Sequence, residues 1–66
     1  EAVSLTVFDV SGRVVRRLIE GEVMAPGPHA VEWDGRGEDG SAAAAGLYFT
    51  RIVSAGQVAA GRLVRL

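Results

Sequence analysis

The stretch from Val31 to Phe49 constrains this chain most. A strand-like run carrying the only tryptophan, Trp33, gives way to Asp34-Gly35-Arg36-Gly37-Glu38-Asp39-Gly40. Six residues later Gly46-Leu47-Tyr48-Phe49 opens a second strand with the only tyrosine and the second of two phenylalanines. Aromatic side chains bury the most area per residue, so three of four aromatics at two strand mouths mark where a small core is anchored. The turn between them is too short and too rich in glycine to be a helix. Trp33, Tyr48 and Phe49 are therefore expected to be the structural anchors of that core.

Sixty-six residues make one domain spanning 1–66. A chain of that size buries only ~60% of the surface its unfolded form exposes. Small domains usually offset this with disulfides, a metal or association. Cysteine is absent and there is a single histidine, so association or attachment to a larger protein remains. The start at Glu1, directly in a strand-like pattern, reads as the C-terminal part of a longer precursor. The longest unbroken apolar run, Ala42 to Ala45, is far too short to span a membrane. Seven arginines against eight acids give a formal net charge of −1, without the basic excess of a nucleic-acid binder.

Along the chain, residues 3 to 10 alternate, with Val3, Leu5 and Val7 on one side and Ser4, Thr6 and Phe8 on the other. Period two with β-branched residues predicts a strand. Asp9-Val10-Ser11-Gly12 predicts a tight turn, with Gly12 free to take positive φ and Asp9 bonding the turn backbone. A second strand is expected over 13–20, a loop over 21–28 and a third strand over 29–33, where His29, Val31 and Trp33 share a face. A fourth strand over 47–53 and a fifth over 57–66 are joined at Ser54-Ala55-Gly56. Strands at this spacing with glycine-rich turns predict an all-β sandwich or barrel of antiparallel hairpins.

No constellation carries obvious chemistry. Gly35-Arg36-Gly37-Glu38-Asp39-Gly40 matches G-x-G-x-x-G, yet a phosphate site needs a helix opening there, and Glu38 and Asp39 stand where the phosphate would sit. Asp34, Glu38 and Asp39 are the weak calcium candidates. Arg36 occupies a position where a ligand is needed and no terminal acid follows, so these acids are expected to cap turn amides. His29 has no nucleophile positioned beside it. Arg16 and Arg17 are expected on opposite faces of a strand, unable to form one basic patch. The residues therefore predict no catalytic group, no cofactor and no metal.

The order Val7-Phe8-Asp9-Val10-Ser11-Gly12-Arg13, Trp33-Asp34-Gly35-Arg36, Asp39-Gly40 and Ala45-Gly46-Leu47-Tyr48-Phe49, closing on Arg62-Leu63-Val64-Arg65-Leu66, resembles a known family. It is similar to the Ig-like domain of the flagellar hook-capping (FlgD-like) proteins and to related C-terminal secretion and sorting modules of secreted bacterial proteins. The resemblance covers nearly the whole chain. It implies a small antiparallel Ig-like or fibronectin-like β-sandwich of about five strands, lacking the family's first strand. Asp9, Gly12, Arg13, Trp33, Asp34, Gly35, Gly40, Gly46, Tyr48 and Phe49 then become structural positions. Gly37 stands where an acid commonly follows Trp-Asp-Gly-Arg, and the C-terminus lacks the lysine-rich finish of many sorting signals.

The expected function is that of a non-enzymatic extracellular or cell-surface bacterial module for export, surface attachment or assembly. Its partners would be proteins: secretion machinery, the cell surface or copies of itself. A missing first strand leaves a sheet edge and a core slot open, which another chain can fill. The alternatives are thus a filament or shell subunit assembled by strand complementation, and a hook-cap scaffold domain.

Overall fold

Two-residue periodicity in four segments produces four strands, β1 (Ala2–Phe8), β2 (Val14–Val23), β3 (Gly46–Ser54) and β4 (Gln57–Arg65). They are seen in a computed structural model that describes residues 2–24 and 31–66. All neighbours are antiparallel, in the order β2-β1-β3-β4. The chain is all-β, as its pattern predicts, and the described residues form one sheet.

The register sorts the side chains. Val3, Leu5 and Val7 of β1 stand opposite Ser54, Ile52 and Thr50 of β3, and Tyr48, Thr50 and Ile52 stand opposite Leu63, Gly61 and Ala59 of β4. This is the inner face, and the buried core of Leu5, Val7, Ile19 and Tyr48 lies on it. Val7 alone is completely shielded, at 0% exposure. Phe8, Phe49, Arg51, Arg62 and Val64 belong to the outer face by the same alternation.

The connection from β2 to β3 shapes the molecule. β2 is an edge strand and β3 lies beyond β1, and of the connection between them residues 31–45 are described. They place Trp33 half-buried and Gly35 buried. Through Trp33 they cover one end of the inner face. Val31–Trp33 form no strand, while His29 and Ala30 lie outside the described residues.

Three further expectations are corrected. β2 runs through Gly21 to Val23, because Gly21 takes φ 65° and lets the strand bend without ending. The pairing of β1 with β2 shifts register three times, so Arg16 lies opposite Val7 and Val14 opposite Phe8. A bulge inserts an extra residue and swaps the faces that strict alternation assigns. Phe49, expected in the core beside Tyr48, is 40% exposed, since adjacent strand residues point to opposite sides.

Two turns follow their chemistry closely. Gly12 N–H donates to Asp9 O at 3.0 Å with Gly12 at φ 87°, and Asp9 Oδ1 accepts from Ser11 N, Ser11 Oγ and Arg13 N. Ala55 (φ 53°) and Gly56 (φ 76°) form the two-residue β3–β4 hairpin loop, whose paired positive φ values match the right-handed twist of the strands.

Candidate functional site

Residues 31–45 fold back on themselves over one end of the inner face. An antiparallel bridge between Arg36 and Ala42 closes this segment, with Gly37 N–H donating to Ser41 O at 2.9 Å and Ala43 N–H to Gly35 O at 2.7 Å. Trp33 anchors it. Its ring meets Tyr48 edge-on, with centroids 5.0 Å apart and planes at 69°, and its Nε1 donates to Arg36 O at 2.9 Å. The Tyr48 hydroxyl donates to Ala44 O. Both aromatics thus put their apolar bodies into the core and spend their polar tips on loop carbonyls.

The acids named as weak calcium candidates are all engaged with protein groups. Asp34 Oδ1 accepts from Arg36 N at 3.0 Å and lies 3.7 Å from the Arg16 guanidinium. Asp39 Oδ1 accepts from Ser41 N at 2.9 Å and Ser41 Oγ at 2.6 Å. Arg36 donates to Gly40 O at 2.7 Å, which lays its guanidinium across the turn. Hydrogen bonds from Ser41 hold the Asp39 carboxyl below the usual aspartate range, and the Ser11 hydroxyl does the same for Asp9. In both cases the charged carboxylate is the form that accepts the hydrogen bonds donated by the turn.

Glu38 does something the sequence did not announce. Its N–H donates to Val15 O at 3.0 Å, and its Oε1 accepts from Arg17 N at 3.2 Å. One residue therefore stands in for a short strand along the outer edge of β2. Arg17 Nη1 lies 3.3 Å from the same carboxylate and Arg16 Nε 3.8 Å from its other oxygen. Arg16 and Arg17 do stand on opposite faces, opposite Val7 and Thr6, as alternation expects, and Glu38 at the edge of β2 is reached from both sides. Two acids in the turn against an adjacent arginine pair was the only sequence signal for this cluster.

Gly35 and Arg65 close the other side. Gly35 has φ 77°, and a Cβ there would come within 2.7 Å of Arg65 Cζ. Arg65 Nε in turn donates to Ala43 O at 3.0 Å. The backbone angle favours glycine, and a side chain here would displace the Arg65 guanidinium. Of the other structural positions, Gly40 (φ 83°) completes the Asp39 turn and Gly46 (φ 147°) opens β3. Arg13 contributes its backbone, pairing with Asp9 in both directions.

Several depressions lie beside the loop. An open groove of about 510 Å³ separates the Asp9 turn from the 37–41 turn, and of its polar walls Asp9, Glu38, Asp39 and Ser41 are committed to hydrogen bonds. A hollow of about 220 Å³ on the inner face is lined by Val3, Leu5, Ile19, Met24, Val31 and Ile52, without a charged wall. His29 lies outside the described residues. Among the described residues, the geometry offers ordered turns and apolar surface rather than convergent reactive groups.

No curated protein and no solved structure matches the chain significantly. The family model of the FlgD Ig-like domain matches residues 1–58, which take in the Asp9 turn, the Trp33–Tyr48 anchor and three of the four strands entire. An antiparallel sheet whose crossing loop is pinned by those elements, matched over most of its length, places the chain in the FlgD Ig-like domain family.

Proposed function

We propose that this chain is a non-enzymatic, extracellular module that serves the export, surface attachment or assembly of the bacterial protein carrying it. Family membership relates it to hook-cap modules, and one observation carries the reading further. The polar side chains gathered at the loop, from Asp34 to Ser41, are used within the loop itself and, through Glu38 and Asp34, against β2. A site that spends its acids and arginines on its own backbone acts through its surface. The test is removal of residues 1–66 from the parent protein. Loss of surface or extracellular location, with the remaining activity of the parent intact, supports the module reading. Unchanged location with lost activity contradicts it.

A second reading, assembly by strand complementation, is favoured by the apolar hollow between Val3, Ile19, Val31 and Ile52. In addition, no described strand pairs with the outer side of β4. An extended segment from another copy or from secretion machinery would fill the hollow and bond an open edge. Sedimentation of the chain in isolation tests this, with large assemblies expected. A monomer at all concentrations eliminates it. The hook-cap scaffold remains the special case in which the assembling partner is a flagellar subunit.

A further inference from the structure

The outer face of the sheet has a composition that the turning loop does not explain. Leu47 lies opposite Val64 at one end and Val53 opposite Val58 at the other, all exposed, with Val58 and Val64 at 62% and 64%. Between these apolar ends runs a band of aromatic and cationic groups. Phe8 stands opposite Phe49, Phe49 opposite Arg62, and Thr6 opposite Arg51. The face thus reads aliphatic, aromatic with arginine, aliphatic over four same-side positions of β3, roughly 20 Å at ~3.3 Å per residue.

The arginines set the partner. Arg17, at the β2 end of the band, is already paired with Glu38. Arg51 and Arg62 make no ion pair among the described residues. The Arg51 guanidinium sits over the Phe8 ring, 5.1 Å from its centre, a cation–π contact that holds it near the sheet. An ordered arginine beside exposed aromatic and aliphatic area is the composition of an interface centre, where arginine and aromatics are enriched.

We infer that the outer face of β1, β3 and β4 docks an acidic protein surface, with carboxylates meeting Arg51 and Arg62 and apolar side chains covering Phe49 and its aliphatic neighbours. A second copy of this chain fits less well, because two such faces would set arginine against arginine. The inference refines the module reading by naming a surface and a partner chemistry, and its test does not involve location or export.

The experiment uses the full chain and amide NMR, with two short synthetic peptides as probes, one alternating glutamate with leucine and the other lysine with leucine. The acidic peptide should bind about tenfold tighter, a difference of about 1.4 kcal/mol. Its shifts should centre on Phe49, Arg51, Ala60 and Arg62. Arg51→Glu with Arg62→Glu should reverse the preference; if that pair of changes disturbs the fold, Arg51→Gln with Arg62→Gln should abolish it. Equal binding of both peptides, or no binding, overturns the proposal. So do shifts confined to the inner hollow, self-association through Phe49, or binding to anionic vesicles in preference to the acidic peptide.

Discussion

Trp33 and Phe49 are both large aromatics near the same turn, yet their environments make opposite demands. Truncating a buried tryptophan costs ~3–5 kcal/mol, and Trp33 is half-buried, so Trp33→Ala should cost about 2 kcal/mol. For a domain of this length that lowers Tm by roughly 10 °C. Phe49→Ala removes an exposed cross-strand partner of Phe8 and should cost under about 1 kcal/mol. Thermal melts of the two variants decide this, and equal losses would contradict the assignment of faces. Ala55 is the other telling residue. It is the only described non-glycine at positive φ, in a loop type that favours Asn-Gly. Ala55→Asn should therefore stabilise by about 0.5–1 kcal/mol, and a loss of stability would mean that the hairpin loop is not of this type. The anchoring role of Trp33 and Tyr48 was legible in the sequence. The exposure of Phe49 was legible too, from its adjacency to Tyr48, but counting aromatics obscured it.

At the scale of elements, the two Asx turns and the Glu38 plug act on the sheet margins. Asp9 and Asp39 both have carboxyl pKa values lowered by serine hydrogen bonds. A group whose folded pKa is depressed adds stability that is present above its unfolded pKa and is lost as pH falls through the folded value. Tm should therefore drop as pH is lowered below about 4, the unfolded aspartate value. In the double variant Asp9→Asn with Asp39→Asn the drop should be shallower, and a drop of the same steepness would show that these turns do not sense acid. Glu38→Ala removes the acceptor of the Arg17 amide on the outer edge of β2. Hydrogen exchange at Arg17 should accelerate while that of Leu5 and Val7 stays slow. Unchanged exchange at Arg17 would mean that the carboxylate does not guard this edge. The Asp9 turn could be read from Asp-x-Ser-Gly because its bonds are local. The β2 bulges and the Glu38 contact could not, because each depends on a pairing between residues far apart in sequence.

At the scale of the whole molecule, strand order decides what is covered. β2 and β3 flank β1, residues 31–45 roof one end of the inner face with Trp33, and an apolar hollow lies on the same face. Alternation gave four of the five expected strands, since each carries its own period. It gave no account of strand order, and it counted as a strand the 31–33 segment that packs on the sheet instead. The functional proposal rests on that layout: loop polar groups bonded to the loop and to β2, and apolar and arginine surface left free. Transfer to an unrelated protein tests it most directly. A soluble reporter enzyme with a secretory leader and residues 1–66 at its C-terminus, produced in the organism of origin, would be assayed in cells, at the surface and in the medium. The account predicts that the chain moves the reporter to the surface or medium and that Trp33→Ala abolishes the shift. A folded fusion distributed like the reporter alone would contradict it.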